Sequence, residues 1–184
     1  RYGVIDLGSN TVRLVVFQYY KGQLKKIHTK REVVGLASYL LPEGFMSDLG
    51  IRQAIKSIKE LKLEASDYSV SKLFVFATAS IRNAKNQNEI LNRIKNKTGE
   101  QVKLLSALEE ARLGVIATKY ERDFSDGIVI DLGGGSTEVS IIKDSKITNS
   151  SSLPIGSLNS YVTFVKEMLP NKDEIININK VVIS

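Results

Sequence analysis

The sequence predicts an α/β protein built from two structurally related halves. Three observations lead there. Strand-like and helix-like runs alternate along the chain. The pentapeptide Val4-Ile5-Asp6-Leu7-Gly8 recurs letter for letter as Val129-Ile130-Asp131-Leu132-Gly133. Each copy is followed by a turn of small residues, an outgoing strand, a further strand and then a helix. The expected domains are residues 1–124 and 125–184, with the polar segment Glu121–Asp126 as the boundary. The second copy stops early, and residues 171–184 begin an element that does not finish, so the second domain is expected to be incomplete.

The elements follow in order. Tyr2–Leu7 and Thr11–Tyr20 are β-rich runs separated by Gly8, Ser9 and Asn10, the signature of a hairpin with a tight turn. Gln23–Val34 reads as a third strand after Lys21-Gly22. Ser47 is a helix N-cap with Asp48 behind it, and Ile51, Ala54, Ile55, Ile58 and Leu61 fall at helical spacing. Lys72–Ala77 is a buried strand, Arg82–Lys97 a helix ending before Gly99, and Gln101–Leu105 another strand. A helix spans Ala107 to Tyr120. The second copy gives a buried strand ending at Asp131, then strands Thr137–Lys143 and Lys146–Leu153. Its closing helix carries Leu158, Tyr161, Val162, Val165 and Leu169 on one face.

Composition narrows the chemistry. The chain has 184 residues, with 25% charged and 42% hydrophobic, enough to bury a core. Cysteine is absent, which excludes disulfides, thiolate nucleophiles and Cys-ligated zinc. The one histidine, His28, lies in the Lys/Arg-rich run LKKIHTKRE and reads as part of a solvated strand. Chemistry therefore rests on carboxylates, hydroxyls, backbone amides, Arg/Lys and oxygen-bound metal. A formal charge of +6 favours anionic partners. The basic residues are scattered and not interleaved with aromatics, so no nucleic acid is expected. No apolar run approaches the ~20 residues of a membrane helix, and no signal peptide is recognisable. A cytoplasmic location is expected, although the chain opens on Arg1 with no Met.

The turn Asp131–Ser136, DLGGGS, is the sharper of the two glycine turns. Three successive glycines let the backbone approach a ligand and aim N–H groups into one concavity. Asp131 stands at its mouth, where a carboxylate can hold a metal's waters. In the first turn Gly8, Ser9 and Asn10 offer amides, a hydroxyl and a carboxamide to a phosphoryl group. A plain β-turn is the simpler use of either. Neither is a Walker loop, since no Gly-Lys-Ser/Thr follows. Neither is a dinucleotide fingerprint, because a strand follows the glycines.

Four stretches, VIDLGSNTVRL (Val4–Leu14), FATASIRNAKN (Phe76–Asn86), LSALEEARLG (Leu105–Gly114) and VIDLGGGSTEV (Val129–Val139), resemble the exopolyphosphatase / guanosine pentaphosphate phosphohydrolase family in order and spacing. That resemblance implies actin-like (ribonuclease H-like) domains with mixed sheets flanked by helices, and twin hairpin turns facing each other across a cleft as a phosphate clamp. Members of that family run well beyond 184 residues.

The resemblance and the residues together give a site. Gly8, Ser9, Asn10, Ser80, Arg82, Gly133, Gly134, Gly135 and Ser136 are expected to bind phosphate. The Arg82 guanidinium can grip phosphate bidentately and take up developing charge, although a solvated arginine is the simpler alternative. Ser106-Ala107-Leu108-Glu109 reads as a capping box, and Arg112 can also pair with Glu109. Glu110 falls on a stripe with Leu113, Gly114 and Ala117, where close packing would raise its pKa and suit a general base. The family's catalytic glutamate also precedes an Ala, as Glu110 does. Asp131, Glu138 and Asp6 are expected to hold Mg²⁺ or another divalent cation, or else to accept loop amide bonds.

The function these imply is Mg²⁺-dependent release of terminal phosphate from inorganic polyphosphate or guanosine pentaphosphate, with Glu110 activating water beside Arg82. Two alternatives stay open. One is an actin-like ATPase or sugar kinase domain; the other is a non-catalytic binder of polyphosphate or an alarmone. Oligomeric state is open, a homodimer being one option.

Overall fold

A computed structural model of the chain describes residues 1–183. They form two compact units, residues 1–106 and the residues from Ala107 onward. In the first unit, strands β1 (Tyr2–Leu7), β2 (Thr11–Tyr20), β3 (Gln23–Val33), β4 (Lys72–Ala77) and β5 (Val102–Leu104) form one sheet in the order β3-β2-β1-β4-β5. Pairing is antiparallel from β1 to β3 and parallel from β1 through β4 to β5, so the sheet is mixed.

Alternation along the strands decides which face is covered. Ile5 and Leu7 on β1, and Val12, Leu14 and Val16 on β2, are fully buried. Helices α1 (Asp48–Asp67) and α3 (Gln87–Thr98) bring Ile51, Ile58, Leu61, Ile90 and Ile94 into the same core. Full burial of each such side chain contributes about 1.5–3 kcal/mol. The expected N-cap of α1 is in place, Ser47 Oγ accepting from Gly50 N at 3.3 Å. Gly50 itself is required there, because a Cβ would stand 2.5 Å from that of Tyr39.

Three local features depart from the sequence reading. The expected helix Arg82–Lys97 is broken into a single turn, α2 (Ala79–Arg82), and α3. The break has a cause: Lys85 N donates to Gly44 O at 2.8 Å, and Asn86 clasps Met46 through its N (2.9 Å) and its O (3.1 Å). A 3₁₀ turn, Leu36–Tyr39, lies before α1 and has no sequence signal of its own. His28 is partly buried where α1 crosses the edge strand. Its ring bonds Glu64 Oε1 and the Tyr68 hydroxyl, both at 2.8 Å, and stacks on Tyr68 with centroids 4.2 Å apart.

In the second unit, β6 (Gly127–Leu132), β7 (Thr137–Lys143) and β8 (Lys146–Leu153) form an antiparallel sheet in sequence order. Helix α4 (Ala107–Glu121) packs against all three strands. The segment Glu121–Asp126 thus lies inside this unit. Along β7 the buried side carries Glu138, Ser140 and Ile142, and Ser136 just before the strand is buried too. The outer residues of β6 are open, with Ile128, Ile130 and Leu132 64%, 66% and 64% exposed, so the expectation of a buried strand there is corrected. β6 is an edge strand, whereas its counterpart β1 is flanked on both sides.

The expected closing helix is also shorter. α5 (Ser157–Phe164) ends at Val165, which is extended, and a separate helix α6 (Lys172–Ile183) follows. Pro170 and a reciprocal cap separate them: Asn171 Oδ1 accepts from Glu174 N, and Glu174 accepts from Asn171 N, each at 3.0 Å. No described helix is long and apolar enough to cross a membrane.

The repeat seen in the pentapeptides extends to the register. Asp6 pairs with Arg13 and Leu7 with Val12; 125 positions later Asp131 pairs with Glu138 and Leu132 with Thr137. Even the irregularity recurs, between Val16 and Phe17 and again between Ile141 and Ile142.

Candidate phosphate and cation site

Within the first unit, the turn Gly8-Ser9-Asn10 sits at the carboxyl end of β1. Gly8 N closes it on Thr11 O at 3.1 Å. The turn's carbonyls are then drawn to one side. Ser9 O accepts from Ala37 N at 2.9 Å, and Asn10 O accepts from Val34 N and Gly35 N at 3.0 and 2.8 Å. The 3₁₀ turn missed in the sequence is what supplies Ala37. Across a trans peptide the C=O and the next N–H point in opposite directions. Fixing the Ser9 carbonyl therefore aims the Asn10 amide the other way. Among the described residues, nothing accepts from Ser9 N or Asn10 N.

Beside this turn, at the end of parallel strand β4, lies Thr78-Ala79-Ser80-Ile81-Arg82. Thr78 N reaches Leu7 O at 3.4 Å, joining the two strand ends. Carboxyl ends of parallel strands are where open α/β sheets bind ligands. Ser80 is 2% exposed, and its Oγ is the one buried side-chain polar atom among the described residues without a hydrogen-bond partner. Leaving a buried hydroxyl unbonded costs about 1–3 kcal/mol, which sets Ser80 apart from the other buried polar side chains. Arg82 Nη1 donates to Leu105 O at 3.1 Å, which anchors the guanidinium.

The second unit repeats the pattern. Gly133 N closes the turn on Ser136 O at 2.9 Å. Its carbonyls are taken by the start of α5: Gly133 O accepts from Ser157 N, and Gly134 O from Leu158 N and Asn159 N, at 2.9, 2.9 and 3.0 Å. Gly135 O accepts from Asn159 Nδ2 at 2.9 Å. No described group accepts from Gly134 N or Gly135 N. The segment presses so closely that a Cβ on Gly156 would stand 2.5 Å from Gly134 C and Gly135 N. The sequence reading missed Gly156 and Asn159; a Pro-x-Gly just before a helix was the available signal.

The three expected metal carboxylates differ in surroundings. Asp6 lies opposite Arg13, with Oδ2 3.8 Å from its guanidinium. Asp131, at the equivalent place, lies opposite Glu138. Directly opposed residues of an antiparallel pair share a face, and like charges there are destabilising. Glu138 is 3% exposed and its Oε1 accepts from Ser152 Oγ at 2.7 Å. Neither carboxylate forms an ion pair among the described residues. That donor set fits a hard divalent cation held by two carboxylates plus phosphate oxygens and waters. No group of three or more His, Cys, Asp or Glu among the described residues could hold a metal by itself.

Helix α4 brings Glu110 to the same face of the second sheet. Its inward residues are Ala111 and Val115, with Gly114 beside them and 3.7 Å between its would-be Cβ and Asp131 Oδ2. Glu110 is partly buried and one turn before Gly114, so it shares that side. The expected stripe is corrected in part, because Leu113 and Ala117 are exposed.

Comparison with known proteins agrees with this architecture. The model of the Ppx/GppA phosphatase family matches residues 15–183. Exopolyphosphatase 1 of Mycobacterium tuberculosis is 32% identical over 160 residues, which cover 85% of this chain and 46% of that protein. The crystal structure of the Aquifex aeolicus Ppx/GppA family member is 32% identical with a TM-score of 0.75, covering 96% of this chain and 58% of that one. An exopolyphosphatase from Cytophaga hutchinsonii shares the fold at 21% identity, with a TM-score of 0.86 over 99% of this chain and 60% of that one. The chain spans about half the length of the curated relatives it matches. With a mixed α/β fold and a family match running through both units, it belongs to the Ppx/GppA phosphatase family.

Proposed function

We propose that this chain carries the phosphate- and cation-binding part of a phosphohydrolase that releases terminal phosphate from inorganic polyphosphate. The observation that carries the reading is the pair of turns whose carbonyls are tied back while Ser9, Asn10, Gly134 and Gly135 keep their amides uncommitted. Such N–H groups suit phosphate oxygens. The named activity of the mycobacterial relative supports polyphosphate as substrate. The net charge of +6 attracts a polyanion.

In this mechanism the turn amides and Ser80 hold the phosphoryl oxygens, and Arg82 offsets the charge that develops on them. Asp131 and Glu138 would hold a divalent cation, with Mg²⁺ proposed; when bound, it neutralises phosphate oxygens. Asp6 is the third carboxylate of the expected set and is offset by Arg13. Glu110 accepts a proton from the attacking water and orients it. Hydrolysis then needs no Cys or His. Guanosine pentaphosphate is the alternative substrate. Phosphate release from each compound with Mg²⁺, in the protein at its natural length and with no other nucleotide present, tests the reading. Turnover of polyphosphate supports it; binding of both without release would favour a sensor instead.

A further inference from the structure

The carboxamide of Asn159 spends both its N–H donors and one oxygen lone pair on one small structure. Its Oδ1 accepts from Gly156 N at 2.7 Å, while Nδ2 donates to Gly135 O at 2.9 Å and to Pro154 O at 3.1 Å. It is the side-chain clasp on the last glycine carbonyl of the second turn. In the first turn the equivalent carbonyls, those of Ser9 and Asn10, are held instead by backbone N–H groups from Ala37, Val34 and Gly35. A side-chain clasp can be altered without changing the backbone sequence of the turn.

Orientation is what the clasp decides. The Gly135 carbonyl and the Ser136 amide belong to one peptide plane and point in opposite directions. Three successive glycines have little intrinsic preference, so each plane can rotate unless something holds it. Backbone donors at the start of α5 hold the Gly133 and Gly134 planes, and Asn159 holds the Gly135 plane. Donation to a carbonyl also polarises its peptide, which strengthens the N–H on the far side.

We propose that Asn159 is a positioning residue for phosphate binding, fixing the Gly135–Ser136 peptide with its N–H toward the bound phosphoryl group. The proposal rests on the phosphate-binding role given to this turn above. Asn159→Asp keeps the size but places a carboxylate oxygen against Gly135 O, which turns the plane over. Asn159→Ser removes the clasp without adding charge.

Both variants, the unaltered protein and the control Asn149→Asp are compared at natural chain length. Asn149 is exposed on β8 of the same unit and far along the strand from the turn. Steady-state kinetics on polyphosphate and inhibition by inorganic phosphate are the readouts. For Asn159→Asp, KM and the phosphate inhibition constant are expected to rise about tenfold together, with kcat within about threefold. Asn159→Ser should move both in the same direction, and Asn149→Asp neither. A folded Asn159 variant with unchanged KM and phosphate inhibition overturns the proposal, as does a loss confined to kcat. If the unaltered protein shows no turnover, the phosphohydrolase reading falls separately, and inorganic phosphate affinity by calorimetry still decides the role of Asn159.

Discussion

Asp131 Oδ2 lies 3.7 Å from the point where a side chain on Gly114 would begin, so the absence of a side chain on α4 leaves room for a carboxylate on β6. A methyl group fits at that distance; a branched side chain does not. Gly114→Ala is therefore expected to keep activity and to stabilise the helix by about 0.5–1 kcal/mol. Gly114→Leu should push Asp131 aside and raise the Mg²⁺ concentration for half-maximal phosphate release about tenfold. Metal titrations of both variants, beside thermal melts, measure the two effects.

The two equivalent register pairs should respond differently to a divalent cation. Asp131 and Glu138 face each other, whereas Asp6 faces Arg13. In the absence of metal, Glu138→Gln is expected to relieve about 0.2–1 kcal/mol of repulsion, less whatever the Ser152 bond loses. With Mg²⁺ at ~100 times its dissociation constant the unaltered protein should gain about 2.7 kcal/mol, and Glu138→Gln and Asp131→Asn much less. Asp6→Asn should keep that metal-dependent gain. Melting temperatures with and without Mg²⁺ give all four values.

Gly156 is held to glycine by space, not by backbone conformation. A Cβ there would meet Gly134 C, Gly135 N and Gly134 O at 2.5–2.6 Å, all backbone atoms that cannot swing aside. Gly156→Ala is expected to cost about 1–3 kcal/mol and to weaken phosphate binding with it. Chemical denaturation and phosphate inhibition should change together.

Core substitution in the first unit should act on stability alone. Ile58 is fully buried on α1 and Ile94 on α3. Either one changed to Ala is expected to cost about 2–5 kcal/mol, read from denaturant midpoints, with kcat of the folded fraction unchanged.

What the sequence revealed depended on how local the governing interactions are. The hairpins were legible because Gly8-Ser9-Asn10 and the Gly133–Gly135 run are turn-forming between alternating apolar residues. The α/β class followed from the alternation of strand-like and helix-like runs, and the relation between the two halves from the repeated pentapeptide. The break before α3 was not legible, because it depends on Gly44 and Met46, some 40 positions from their partners. His28 looked solvated among lysines, yet Glu64 of α1 and Tyr68 at its C-terminal cap reach it. Likewise, the difference between Asp6 and Asp131 depends on the residue opposite each, Arg13 or Glu138, which only register reveals. Asn159 is polar and ordinary in sequence; its role appears only where its three hydrogen bonds converge.

The most direct test of the proposed chemistry is Glu110→Gln at natural chain length, assayed for Mg²⁺-dependent phosphate release from polyphosphate. The neutral amide keeps the shape of Glu110 but cannot take a proton from water. Turnover should fall at least about a hundredfold while polyphosphate affinity stays within about threefold of the unaltered protein. Hydrolysis at the unaltered rate in a folded Glu110→Gln protein would contradict the assignment of this carboxylate as the base.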